Sequence, residues 1–210
     1  MFRKESLVIK IILQKLLSLD EINTVLDVGS STYLFRTMFQ PWIDENVFKP
    51  LRKAGCKIIH LDAKPGEGVD IVLDATELYK FNVQFDLVIS ANLLEHVSNI
   101  SKTILGLKKV VKPGKYLLIT IPYKYPYHPD PIDNTFRSDI NVLRRAFANF
   151  RILFGRTISI DGYEGIKIRE RIHSFIRTLP NKDLLRFNLS QLFGSFKVTI
   201  TLFKKQRYVT

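Results

Sequence analysis

Short apolar runs alternate along this chain with longer stretches of helical period. Residues 24–29 (TVLDVG), 56–62 (CKIIHLD), 69–75 (VDIVLDA), 85–92 (FDLVISAN) and 115–122 (KYLLITIP) are near-continuous apolar runs, the pattern of parallel strands whose two faces are both covered. Between the first two runs, residues 31–55 have helical spacing broken at Pro41, which predicts two consecutive helices, the second stopping near Gly55. A further helix is expected over 100–111, ahead of a Pro113-Gly114 turn, and another over 138–150. Residues 151–162 read as a strand, 166–190 as a basic helical insertion, and 195–206 (SFKVTITLFKKQ) alternate like an antiparallel strand. The first 20 residues form an amphipathic pattern. Strands alternating with helices predict an α/β fold, one domain over 1–210 with a mostly parallel sheet between helical layers.

In such sheets ligands bind beyond the carboxyl ends of the strands, so the chemistry is sought there. Polar residues gather at those ends: Asp27, Gly29, Ser30 and Ser31 after the first run, Asp62 after the second, Asp74 and Ala75 after the third, Asn92 after the fourth. Gly29 lets the backbone approach a ligand, and the N–H groups of Ser30 and Ser31 suit a carboxylate or phosphate. Neither a dinucleotide fingerprint nor a phosphate-binding P-loop is present, which disfavours a pyrophosphate. The glycines at 66 and 68 precede a strand and make a turn. Asp27 suits a ligand with a cationic end, Asp62 suits ribose hydroxyls, and Asp74 suits an adenine amino group. Each acid taken alone also reads as a cap on the helix or turn that follows.

These pieces, "VLDVGSS", "HLD", "LDAT", "FDLVISANLLEHV" and "VVKPGKYLLITIP", occur in order over residues 24–137. The stretch resembles the class I S-adenosylmethionine-dependent methyltransferases, in particular the type 11-like group with a "LEHV" signature after the fourth strand. The resemblance implies a Rossmann-like seven-stranded sheet in the order 3-2-1-4-5-7-6 with an antiparallel last strand, and S-adenosyl-L-methionine as cofactor. It further implies that Gly29, Ser30 and Ser31 contact the methionine part, Asp27 its amino end, Asp62 the ribose, and Asp74 with Ala75 the adenine, while Asn92 and Leu93 line the near wall. The chain departs from the family in carrying Gly-Ser-Ser where Gly-x-Gly is commoner. Some relatives hold a divalent cation with a Glu-x-x-Glu-His set on one helical face. Here Asn92 stands at the first Glu, so no metal is expected, and Glu95 and His96 are expected to buttress the pocket.

The longest irregular stretch, 123–137, is rich in proline and carries five rings, Tyr123, Tyr125, Tyr127, His128 and Phe136, which suggests an active-site lid. An acceptor hydroxyl benefits from a base of near-neutral pKa. His60 within a strand and His173 in the basic region read as structural or surface residues. His128, just past the fifth strand, is the candidate base or acceptor-orienting group, with Asp130 beside it. Tyr123 and Tyr127 are candidates for an aromatic acceptor wall. Arg137 either binds the acceptor or pairs with Asp133 to hold the loop shut.

Composition narrows the classes. Apolar residues are 46% of the chain, charged ones 25%, and no run of about 18 apolar residues occurs. Lys10, Gln14 and Lys15 interrupt the N-terminal apolar stretch, against a signal peptide, and Cys56 as the single cysteine excludes an internal disulfide. A cytoplasmic protein, peripheral to the membrane at most, is the expectation. Lys and Arg number 32 against 20 Asp and Glu, for a net charge of +12. The excess lies mainly in 166–187 and in the closing FKKQR, away from the predicted pocket. O-methylation of a small-molecule or glycan acceptor, including a lipid-linked sugar, is therefore preferred. A nucleic-acid acceptor is disfavoured, and a non-catalytic protein docking on anionic lipid through 5–18 and 166–190 is the alternative from another class.

Overall fold

A computed structural model of the chain describes residues 1–128, 132–161 and 195–207; Asp130, His173 and the basic insertion expected over 166–190 lie outside them. Helix α1 (Arg3–Leu19) leads into strand β1 (Thr24–Val28). Tight helical turns follow over Phe35–Phe39, α2 (Pro41–Ile43), Asp44–Phe48 and α3 (Lys49–Lys53). Then come β2 (Lys57–Asp62), β3 (Ile71–Val72), a 3₁₀ turn (Ala75–Lys80), β4 (Phe85–Ala91), a second 3₁₀ turn (Leu94–His96) and α4 (Ile100–Val110). The described chain closes with β5 (Val111–Lys124), α5 (Ile140–Ala146), β6 (Phe150–Asp161) and β7 (Ser195–Lys205). The seven strands form one sheet in the order β3-β2-β1-β4-β5-β7-β6, as expected. β1 to β5 pair in parallel, and β7 runs antiparallel to both β5 and β6.

Alternation along the strands divides the core in two. Val25, Leu87, Ile89 and Leu118 face Ile9, Leu13 and Leu16 of α1 and Val47, Phe48 and Leu51 of the turns after β1. Leu26, Val28, Val88, Leu117 and Ile119 face Leu107 and Val110 of α4 and Leu143 and Phe147 of α5. Both faces are therefore dry, which is why the strands read as continuous apolar runs. One buried carboxylate fixes the far end of the sheet: Asp86 accepts from the N–H groups of Asn23 and Thr24, from the Thr24 hydroxyl and from the Lys112 ammonium, at 2.9–3.1 Å. Burial alone would raise its pKa, but these four donors outweigh that and hold it below the ordinary value.

Several boundaries differ from the sequence expectation. The third strand shrinks to two residues, because Asp74 turns away to accept from the N–H and hydroxyl of Thr76 and start the 3₁₀ turn. β5 begins at Val111 and carries Pro113 and Gly114 within it. Helix α5 starts only at Ile140, where the Asp139 side chain caps the N–H groups of Asn141 and Val142. The expected helical face carrying positions 92, 95 and 96 does not form: Asn92 has φ +50° and lies outside a single 3₁₀ turn. Among the described residues no helix is long and apolar enough to cross a membrane.

Among the described residues, the non-glycine ones with positive φ are Ser31 (57°), Asn92 (50°) and Thr135 (61°), after β1, β4 and β5. All three sit at the same edge of the sheet, where backbone strain concentrates when a site is being shaped. Ser31→Gly should relieve the left-handed strain and stabilise the fold by about 0.5–1 kcal/mol in urea unfolding; a loss of stability would mean that the Ser31 side chain outweighs the strain. Asp86→Asn should cost about 1–3 kcal/mol at pH 7. Because the folded-state pKa of Asp86 is depressed, that contribution is present above the unfolded value and fades as the pH falls. The difference between variant and wild type should therefore shrink in acid denaturation.

Candidate cofactor and acceptor site

The loop after β1 is built by backbone bonds to β2: the N–H groups of Gly29 and Ser30 both donate to the Leu61 carbonyl, at 2.8 and 3.0 Å. Gly29 has φ +79°, and a Cβ there would come 2.8 Å from Leu93 Cδ1. Only glycine lets this loop lie against the Leu93 wall. The Ser31 N–H donates to Asp62 Oδ2 at 2.7 Å and the Lys64 N–H to Oδ1 at 3.0 Å, so the loop and the end of β2 share one carboxylate. Each oxygen keeps capacity for a further donor.

Asp27 is only 5% exposed, and its Oδ2 meets His60 Nδ1 at 2.9 Å, so this carboxylate already has an internal partner beyond the role the resemblance implies. Asp74 keeps one oxygen beyond its cap on Thr76, with buried Ala75 next to it. Asn92 donates from Nδ2 to the buried Glu5 carboxylate of α1, at 3.0 and 3.3 Å, which closes the N-terminal helix over this edge. Arg36 escaped sequence reasoning. Its guanidinium, 3% exposed, donates to the carbonyls of Ser30, Ser31 and Gly68 and clamps the glycine loop. Burial lowers its pKa, with Asp27, Asp44, Asp70 and Asp62 opposing. A lone cation five residues past the glycine loop was the available signal.

The groups here fit S-adenosylmethionine: a glycine-tight turn against an apolar wall, and carboxylates with acceptor capacity left at the ends of two neighbouring strands.

The loop after β5 is held by its own residues. Arg137 places two nitrogens on Asp133, at 3.0 and 2.7 Å, and its remaining donors on the carbonyls of Tyr125, Pro126 and Phe136. All five N–H groups are engaged, so in this conformation Arg137 serves the loop and has none left for an acceptor. Burial by itself would raise the Asp133 carboxyl, but Arg137 and the N–H groups of His128 and Thr135 hold it far below the carboxylate range. Asn134, a second residue the sequence did not single out, pins the loop to the turn after β4. Its Nδ2 donates to the carbonyls of Leu94 and Val97, both at 2.8 Å, and its N–H to that of Glu95 at 2.9 Å.

Of the rings, Tyr125 packs on Phe2, Phe196 and His128, while Tyr123 and Tyr127 stand 46% and 60% exposed. The packed aromatic is thus Tyr125; Tyr123 and Tyr127 face outward at the rim. His128 lies edge-on to His96, ring centroids 4.9 Å apart. Burial lowers its pKa, helped by His96 and Arg137 and opposed by the Pro126 carbonyl and Asp133, which leaves a neutral imidazole at pH 7. Glu95 beneath it is pushed up to about 8 by burial.

Known proteins share this architecture at low identity. The structure of a putative sarcosine dimethylglycine methyltransferase from Galdieria sulphuraria superposes with a TM-score of 0.58 at 16% identity, covering 96% of this chain and 84% of that one. That of a SAM-dependent methyltransferase from Archaeoglobus fulgidus gives 0.54 at 16% identity, covering 94% and 93%. The [4+2]-cyclase SpnF gives 0.60 at 15%, covering 93% and 80%, so the fold alone does not dictate the reaction. No curated protein matches the sequence. The profile of a family described as methyltransferase domain matches residues 2–174, most of the chain. The chain belongs to that methyltransferase family, and its cofactor is S-adenosylmethionine.

Proposed function

We propose that the chain transfers a methyl group to a hydroxyl of a small-molecule or glycan acceptor, entering between the lid at 123–137 and the loop at Gly29. The observation that carries this reading is the His128 ring, edge-on to His96 beyond the exits of β4 and β5, its pKa lowered by burial. S-adenosylmethionine supplies a methyl group already activated on a sulfonium, so the protein has to align the acceptor and keep water out. A hydroxyl acceptor is a weak nucleophile and gains from a group that accepts its proton, whereas a neutral amine does not need one. An imidazole acceptor at the loop after β5 therefore suits an alcohol. In this reading Asp62 receives the ribose hydroxyls, Asp74 with Ala75 the adenine, and Gly29, Ser30 and Ser31 offer backbone to the methionine part, with Leu93 as the wall. Exposed Tyr123 and Tyr127 form the acceptor rim.

The +12 charge favours a polyanionic acceptor as the second reading. Binding to RNA or DNA that weakens steeply with salt would support it.

Asp62→Ala should weaken S-adenosylmethionine binding in calorimetry about 10- to 100-fold, the worth of one or two hydrogen bonds to a charged group; unchanged affinity removes the ribose assignment. His128→Ala should lower kcat about 100-fold or more while cofactor affinity stays within about twofold. Wild-type turnover in that variant would exclude His128 from the acceptor step. Transfer of a tritiated methyl group to sugars, lipid-linked glycans, phenols and RNA decides the acceptor class, and labelling of RNA alone would sink the small-molecule reading.

A further inference from the structure

The edge of the sheet opposite the Gly29 loop carries a cavity of about 430 Å³, between the end of α4, the start of β6 and the end of β7. That is the size of a small-molecule site. Four cations line it: Lys108 and Lys109 from the last turn of α4, and Lys205 and Arg207 from the closing FKKQR run. Among the described residues none of the four pairs with a carboxylate, whereas Lys112 and Lys115 on the same edge are matched by Asp86 and Asp20.

Local structure accounts for only part of this charge. Lys205 donates to the carbonyls of Lys108 and Val111, both at 2.7 Å, and so caps the C-terminus of α4. Lys109 donates to the Tyr79 carbonyl at 2.8 Å and to Asn82 Oδ1 at 3.0 Å. An ammonium has three hydrogens, so one is left on each of these lysines. Lys108 stands over the Phe147 ring, 5.6 Å from its centroid. The Arg207 side chain lies over Gly114, where a Cβ would come 2.6 Å from Nε, and it makes no hydrogen bond or ion pair among the described residues. Burial lowers the pKa of Lys205, with no carboxylate to offset it. The C-terminus of α4 supplies about half a negative charge against four positive ones. Four like charges around one cavity repel each other, a cost that a bound anion removes.

We propose that this cavity binds an organic phosphate or diphosphate, its phosphoryl oxygens on Lys108, Lys109, Lys205 and Arg207 and its organic part against Tyr79 and Leu105, the latter 57% exposed. Phosphoryl oxygens take charge-assisted bonds from ammonium and guanidinium groups, and a group of two or more negative charges matches this excess better than a single carboxylate does. The volume left over and the apolar wall suit an organic group beside the phosphates. A soluble ester and a lipid headgroup share this chemistry. The inference is independent of the proposed acceptor, because the cavity lies at the far ends of the strands that carry the cofactor site, and a ligand here tethers or regulates the protein without touching the sulfonium.

The test uses the full chain saturated with S-adenosylhomocysteine, which keeps competitors out of the cofactor site, titrated at fixed ionic strength with UDP and with phosphatidylcholine vesicles containing phosphatidylinositol phosphate. Saturable binding displaced by pyrophosphate is expected, with UDP identifying a soluble ester and the vesicles a headgroup. Lys108→Gln and Arg207→Gln should each weaken it about tenfold, the worth of one hydrogen bond between charged groups. Neither side chain makes a hydrogen bond among the described residues, so both variants should keep the wild-type melting temperature. Lys53→Gln removes the same charge elsewhere on the surface and should leave affinity within about twofold. Absence of saturable binding to either probe, affinity unchanged in the two cavity variants, or an equal loss in all three variants overturns the site. An oligonucleotide held far more tightly than UDP through the same residues would replace it with a nucleic-acid surface.

Discussion

Everything at the functional edge depends on the divergence of two crossovers. The chain leaving β1 runs back over the face that carries Val25 and α1, through Val47, Phe48 and Leu51, whereas the chain leaving β4 runs back over the other face through Leu107 and Val110. Neighbouring parallel strands whose connections depart to opposite sides make a topological switch point, the place where ligands bind in sheets of this kind. Leu93 and Gly29 meet across it, close enough that a single methyl group on Gly29 would clash.

The loops on the two sides of that point are stiffened by different means. After β1 the clamp is polar and drawn from neighbouring elements: Asp62 takes the Ser31 N–H, and Arg36 gathers carbonyls from the glycine loop and the Gly68 turn. After β5 the described loop residues are tied through the Asp133–Arg137 pair and fastened to the 3₁₀ turn by Asn134. Helix α1 adds a third wall, with Glu5 on Asn92 and Phe2 among Tyr125 and Phe196. The departure from the family's glycine pattern has a structural consequence: Ser31 takes a left-handed φ that glycine adopts freely.

Electrostatics at the edge is uneven. Asp133 is ionised and fully paired, burial lowers the pKa of His128, and Glu95 is buried without a hydrogen-bond partner among the described residues. The carboxyl of the 3₁₀ turn after β4 and that of the loop after β5 thus sit in opposite protonation regimes, set by whether a guanidinium reaches them.

The fold was legible in the sequence because its signals are local: apolar runs of strand length, a proline break at 41, a glycine stop at 55 with φ +82°, and alternation in the last strand. The strand order came from the resemblance, and the sheet has that order. What local pattern could not settle was which partner each polar side chain takes. Asp74 could cap or bind, Asp27 could face a ligand or His60, and Arg137 could hold an acceptor or Asp133; each choice depends on residues brought together from elsewhere in the chain. His96 and His128 are the extreme case, since the second arrives on a loop 32 positions downstream of the first. The sequence by itself determined the elements, because hydrophobic burial follows the periodicity of each segment, while only the tertiary structure decided the site, because hydrogen bonds and charge pairing depend on distances that periodicity does not encode.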